Sequence, residues 1–187
     1  MIDRSLPWLG FPPGVDLANT VVQTSAGPVD LLVTEEDLAQ WVAVETPHLP
    51  DAEAAIGRLE DVRLLRDAVH ALLHAGVQGL TPPREVVAAV NDASAASPVV
   101  VALEEGKVVE RTLAASPFDR FRGVVARSAI EVSRSEALSR CDAPSCGMLF
   151  LASRARQSWC SPSCGNRARV ARHARRASRA VGENVRS

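Results

Sequence analysis

The apolar positions change period several times along the chain, and each change marks a new element. Residues 1–14, rich in Pro and Gly, read as an irregular lead-in. From Val15 to Val21 apolar and polar residues alternate as in a strand, with a short helix as the alternative reading. Gly27-Pro28 signals a turn. Thr34-Glu35-Glu36-Asp37 has the form of a capping box, with the Thr34 hydroxyl accepting from the Asp37 amide while that carboxylate reaches back. It opens a short helix with Leu38 and Trp41 on one side, ended by Pro47 and Pro50.

Residues 51–75 carry the clearest helical stripe, with Leu59, Val62, Leu65, Val69, Leu72 and Leu73 at steps of three and four. Gly76 and Gly79 mark its end. Thr81-Pro82-Pro83 starts a further helix to about Ala96, with Val86, Val87 and Val90 inward. After Pro98, residues 99–103 and 108–113 on either side of Glu104-Glu105-Gly106-Lys107 predict a β-hairpin. A third long helix is predicted over 117–138, with Phe121, Val124, Val125, Ser128 and Val132 on one side. The body closes near Arg140.

Composition adds two facts. With 47% apolar residues in 187, the chain can build a core without membrane or disulfide help. Its start lacks a basic region followed by an apolar run, and no stretch reaches the roughly 18 apolar residues of a membrane span. A cytoplasmic protein is expected. The formal net charge of −1 hides a division. Residues 141–187 hold nine arginines against Asp142 and Glu183, a net of +7, whereas residues 1–140 hold 12 basic and 20 acidic side chains, a net of −8. An acidic body with a basic tail suggests a polyanionic partner for the tail.

All four cysteines lie in that tail, as Cys141-x4-Cys146 and Cys160-x3-Cys164. Two close pairs joined by a short loop supply what a tetrahedral ion needs, and soft thiolates prefer zinc. Four sulfurs leave zinc no open position, so the expected ion is one structural Zn2+. Disulfides or an iron–sulfur cluster would use the same residues, although an otherwise cysteine-free cytosolic chain favours a metal. Zinc binding in such small units supplies on the order of 10–16 kcal/mol, which can exceed the cost of ordering a segment this poor in apolar residues. Met148, Leu149, Phe150 and Trp159 are the candidates for a miniature core, with Phe150 and Trp159 shielding the sulfurs. Ser161-Pro162-Ser163 leads into a helix that places Cys164 in its first turn.

Trp159-Cys160-Ser161-Pro162-Ser163-Cys164-Gly165-Asn166-Arg167 resembles the CGNR zinc-finger family, whose defining tetrad stands here at 164–167. Cys141-x4-Cys146 followed by Phe150 is similar to the other half of that finger. Many relatives place an acidic residue two positions after the phenylalanine, where this chain has Ala152. Val15-Asp16-Leu17-Ala18-Asn19-Thr20, Asp37-Leu38 and Trp41 resemble the ABATE-type domain that usually precedes the finger. That domain is described as a stress-induced transcription regulator, so the resemblance implies a DNA-binding regulator. The expected architecture is α+β. Residues 1–138 form a mainly helical regulatory or ligand-sensing domain with a β-hairpin, and 139–187 form a treble-clef-like zinc finger with an arginine-rich helix.

Beyond Asn166 the alternation of Arg and Ala suits a helix, with Arg169, Arg172, Arg176 and Arg179 on one side and Val170, Ala174, Ala177 and Val181 on another. Guanidinium groups pair with phosphate oxygens or a guanine edge. The predicted nucleic-acid contacts are therefore Arg154, Arg156, Arg167, Arg169, Arg172, Arg175, Arg176 and Arg179. A solvated charge face, pairing with the acidic body, a protein-interaction module and RNA binding are the competing readings. For a small-molecule effector, Asp16, Asn19, Thr20 and Trp41 are the candidate pocket residues, although each also suits a turn or a core. His70-x3-His74 lacks the glutamate of a zinc-protease helix, and neither a phosphate loop nor a G-x-S-x-G turn is present. An enzyme is not expected.

Overall fold

The computed structural model describes residues 10–184, with side chains to residue 176. The lead-in before Gly10 and the side chains of Ala177, Arg179 and Val181 lie outside the described residues. The element order is α1 (Pro13–Ala18), β1 (Val21–Thr24), β2 (Gly27–Asp30), α2 (Glu35–Glu45), a 3-10 turn (Ala52–Ala55), α3 (Leu59–Gln78), α4 (Arg84–Ala95), β3 (Val99–Glu104), β4 (Lys107–Thr112), α5 (Pro117–Ser133), β5 (Leu138–Arg140), β6 (Leu149–Leu151) and α6 (Pro162–Asn184). Each sheet is an antiparallel pair: β1 with β2, β3 with β4, β5 with β6. The α+β expectation holds.

Where the alternation at 15–21 suggested a strand, the chain makes a helix of six residues. Gly14 to Ala18 are all buried, so no solvent side remains to impose a helical period. Pro13 fits the first turn because its missing N–H is not needed there. Gly14 permits the close approach of α5, since a Cβ there would lie 2.8 Å from that of Ala129 and 2.9 Å from the Val125 carbonyl. Its amide donates to Ser128 Oγ at 2.8 Å.

The capping box at α2 forms, with the Asp37 amide donating to Thr34 Oγ1 at 3.1 Å and the Thr34 amide to Asp37 Oδ2 at 2.8 Å. Leu38, Trp41, Val42 and Glu45 are its buried positions. The stripe expected from residue 51 starts as a helix only at Leu59. Asp51 and Gly57 take left-handed backbone conformations that interrupt it, at φ 58° and 79°. Glu35 then receives the amides of Gly57 and Leu59 at 3.1 and 3.0 Å, satisfying the free end of α3 from another element. Gly79 closes α3 at φ 66°, whereas Gly76 lies inside the helix and admits the Ser133 carbonyl of α5, which sits 2.6 Å from where a Cβ would be.

Helices α1, α3, α4 and α5 enclose the main core, built from residues such as Val15, Leu17, Val62, Val69, Leu73, Val90, Phe121 and Val125. Trp41 packs edge-on to Phe121 with ring centres 6.3 Å apart. On α4 only Val90 of the three expected valines is fully buried. Val87 is 38% exposed, because Ala93, one turn after Val90, completes the buried side. Helix α5 ends at Ser133 rather than 138, since Leu138–Arg140 is drawn into β5. The turn expected at Gly27-Pro28 falls instead at Ser25-Ala26, and Gly27 and Pro28 open β2 of a β1–β2 hairpin that no local pattern announces. It is tied down by Arg66, whose Nη1 and Nη2 donate to Asp30 at 2.5 and 3.0 Å.

Glu45 is 2% exposed, and burial raises its carboxyl to about 7 from 4.5. The folded chain thus keeps this proton up to about pH 7, while the unfolded chain releases it above about 4.5. Stability is therefore expected to fall as pH rises through that window, since the unfolded state binds fewer protons there. Glu45→Gln should remove this decline and stabilise the fold at pH 8 by on the order of 2 kcal/mol. Thermal melts of both proteins between pH 4 and 8 test this, and parallel pH profiles would contradict it.

Candidate metal centre

Two turns bring the cysteines together. Cys141 follows β5, and its amide donates to the Met148 carbonyl at 2.8 Å, extending the β5–β6 ladder to the tip. The return through Cys146 uses left-handed backbone at Ser145 and Gly147, at φ 56° and 67°. At Gly147 a Cβ would also come within 2.7 Å of Gln23 Cγ. The second turn runs through Cys160 into α6. Ser161 caps the helix by accepting the Cys164 amide on Oγ at 3.3 Å, and Pro162 begins the first turn.

The Cys146–Cys160, Cys160–Cys164 and Cys164–Cys146 sulfur separations are 3.7, 3.6 and 3.7 Å. All four sulfurs lie within 4.8 Å of one another. Zinc–sulfur bonds of about 2.3 Å in a tetrahedron require sulfur–sulfur edges of about 3.8 Å. The cage therefore fits zinc. Its electrostatics call for a cation as well. Hydrogen bonding from Cys160 pulls the Cys146 thiol down to about 5, while the neighbouring Cys146 pushes Cys160 far up. Burial raises Cys141. Without a central positive charge the sulfurs cannot all be thiolates together. Among the described residues this is the one cluster of three or more metal-binding side chains, and it constitutes a single structural Zn2+ site.

Each residue of the 164–167 tetrad has a distinct task. Cys164 is a ligand. Gly165 lies beneath the indole of Trp159, where a Cβ would meet Cε3 at 3.2 Å. Asn166 Oδ1 accepts from Arg169 Nη1 at 2.8 Å. Arg167 turns back so that Nη2 donates to Cys164 Sγ at 3.0 Å. Such outer contacts orient a ligand and stabilise its charge. Phe150 is fully buried under the cage and Trp159 half-buried beside it. Leu149, in contrast, joins the main core of the body rather than the finger's small cluster.

Of the predicted nucleic-acid contacts, Arg154 and Arg156 are exposed on the loop between the cysteine pairs. Arg169, Arg172, Arg175 and Arg176 are exposed along α6, and the side chain of Arg179 lies outside the described residues. Arg167 serves the sulfur cage. The four predicted pocket residues are buried, from 1% exposure at Thr20 to 5% at Asp16. Thr20 Oγ1 donates to the Leu17 carbonyl, and Trp41 sits in the core. Asn19 does something its sequence position did not disclose. Its Nδ2 donates to the Leu149 carbonyl and its Oδ1 accepts the Leu149 amide, both at 2.9 Å. One side-chain amide thereby completes the backbone bonding of β6 across 130 residues of sequence. The His70 and His74 rings lie 4.2 Å apart, and burial lowers both, His70 to about 4, outside any such cluster.

Residues 12–136 match the ABATE family, described as "Putative stress-induced transcription regulator", and residues 138–177 match the CGNR zinc finger. No curated protein matches the chain. Neither family is a family of enzymes, and no helix among the described residues is long and apolar enough to cross a membrane.

Arg167→Gln should weaken zinc binding by about 10-fold to 100-fold, because the Cys164 thiolate loses its donor. Competition with a chromophoric chelator measures this, and unchanged affinity would contradict the assignment. Asn19→Ala leaves a buried amide and carbonyl of β6 unsatisfied, with an expected loss of about 2–4 kcal/mol in urea unfolding. An exposed-site value below about 0.5 kcal/mol would show that water replaces the amide.

Proposed function

The chain belongs to the ABATE family and carries a CGNR zinc finger, and from that premise we propose that it is a DNA-binding transcription regulator whose helix α6 contacts the phosphate backbone. The observation that carries this reading is the exposure of α6 beyond its zinc-bound first turns. Ala168 is buried, but Val170 is 70% exposed and Arg172 to Arg176 all face solvent. By helical period Arg172 and Arg175 continue the side that holds Cys164 and Ala168, with Arg169 and Arg176 flanking it. Among the described residues no carboxylate forms an ion pair with Arg169, Arg172, Arg175 or Arg176, so a pairing with the acidic body gains no support.

Zinc supplies the folding constraint and no chemistry, since four thiolates leave no coordination position for substrate. The finger fixes where the helix starts, and the arginines provide affinity through charge and hydrogen bonds. Arg154, which lines a shallow cleft with Ser161, Asn166 and Arg169 at that start, extends the cationic surface, and Arg156 is exposed farther along the same loop.

The full zinc-loaded chain is expected to bind duplex DNA with a steep salt dependence. Arg172→Ala together with Arg176→Ala retains a strong helix former at both positions. It should weaken binding and flatten the slope of log K against log salt by about 0.9 for each phosphate contact removed. Fluorescence-anisotropy titrations at several salt concentrations measure both quantities. If affinity and slope match those of the unaltered protein, α6 is not the DNA-contacting element.

A further inference from the structure

Among the described residues, no other strand pairs with either edge of the β3–β4 hairpin. Its turn, Glu105-Gly106, has positive φ at both residues, 49° and 77°, as a two-residue hairpin requires. An isolated pair of strands is marginal in water. This one also exposes Val101 by 69%, Leu103 by 73% and Val108 by 73%. Natural edge strands usually defend themselves with charges, Pro or a bulge. Between Val99 and Leu103, β3 has none of these.

The register decides which backbone groups are free. The two-residue turn makes Glu104–Lys107 a hydrogen-bonded pair, so even-numbered residues of β3 direct their polar groups toward β4. The Leu113 amide, donating to the Pro98 carbonyl at 2.8 Å, continues the same phase. Val99, Val101 and Leu103 therefore present N–H and C=O outward along β3, and Val108, Glu110 and Thr112 do so along β4.

We propose that β3 pairs antiparallel with β3 of a second copy of this chain, about a two-fold axis through Val101, to give a four-stranded sheet. In that register Val99 faces the partner's Leu103, Val100 the partner's Ala102, and Val101 its own counterpart. Pro98 falls where no outward amide is needed. Two-fold pairing must match residues of equal phase, and this rejects the β4 edge. Centred on Val109, it opposes Lys107 to the partner's Arg111. Centred on Glu110 or Arg111, it opposes that charge to itself. Centred on Lys107 or Val108, it runs into the turn, and centred on Thr112 it runs off the end of the strand. Like charges directly opposite destabilise a sheet, whereas the β3 edge opposes only Val, Leu and Ala to one another. A strand that complements itself throughout, with no charge to specify a foreign partner, selects a second copy. A two-fold dimer is also the commonest closed assembly. The proposal rests on the hairpin alone and stands or falls independently of DNA binding.

The test is the solution mass of the full zinc-loaded chain, freed of nucleic acid, at tens of micromolar by sedimentation or light scattering. The unaltered protein is expected to be a dimer. Val101→Lys and Val101→Glu place like charges on the axis and should each raise the dimer dissociation constant at least about tenfold. An equimolar mixture of the two should recover a mixed dimer, identified by native mass spectrometry, which also shows that both variants are folded. Val108→Lys, equally exposed but off the seam, should leave the dimer intact. A monomeric unaltered protein, a dimer indifferent to Val101→Lys, or a mixture that fails to recover would each overturn the proposal.

Discussion

Zinc–thiolate bonding is the constraint on which the C-terminal quarter of the chain, residues 139–187, depends. Between β5 and α6 the chain has little apolar material, and its small cluster consists largely of the cysteines with Phe150 and Ala143. Such a cluster cannot offset the conformational entropy of the segment by burial alone. A tetrahedral ion supplies the missing free energy and fixes geometry with it. Once Cys141 and Cys146 share a metal with Cys160 and Cys164, the first turn of α6 has one allowed position. Arg167 and the Ser161 cap refine that position from either side of Cys164.

The ion holds the finger together, but other contacts hold the finger to the body. Leu138 and Leu149 are buried in the main core, and Asn19 supplies both halves of an amide pair to Leu149. Phe11 packs against both the main core and the cysteine cluster. The join is therefore a continuation of packing rather than a flexible tether. A displacement of α1 would strain β6 directly, because both hydrogen bonds at Asn19 already have ordinary, well-formed lengths that a shift would lengthen. The body and the finger are thus in direct hydrogen-bonded and packing contact.

What could be read from the sequence was what short-range chemistry decides. The capping box at Thr34, the hairpin around Glu105-Gly106 and the sulfur cage each depend on residues a few places apart, or on ligand chemistry that tolerates one solution. The misread elements were those decided by distant neighbours. Residues 15–18 form a helix because α5 approaches Gly14, and the helix begun near 51 waits until Leu59 because Glu35 caps it there. Helix α5 stops early because β5 needs Leu138 for pairing with Leu151. At the site, the spacing identified the ligands, but it could not separate Arg167 from the other arginines. That distinction needs the turn of α6 to be placed against a sulfur. Asn19 reads from the sequence only as a polar pocket or turn residue, because its partner Leu149 lies too far along the chain for any local pattern to reveal.

The division of charge bears on how the proposed complex would be arranged. A body of net −8 is repelled by phosphate, while a tail of net +7 is attracted, and the two are joined rigidly rather than by a linker. The long-range field therefore orients the molecule before contact, tail first. The same repulsion disfavours docking of the helical body along the duplex and leaves it available for other contacts. Collapse of α6 onto the acidic body would be the competing outcome, and the zinc-fixed start of the helix opposes it. Bending back would require breaking the helix or the cage, and exposed ion pairs worth up to about 1 kcal/mol each are too weak to do either. Screening at physiological ionic strength weakens that attraction further beyond about 8 Å. Metal bonding at its start thus holds α6 in place where this segment lacks the apolar residues to do so by burial.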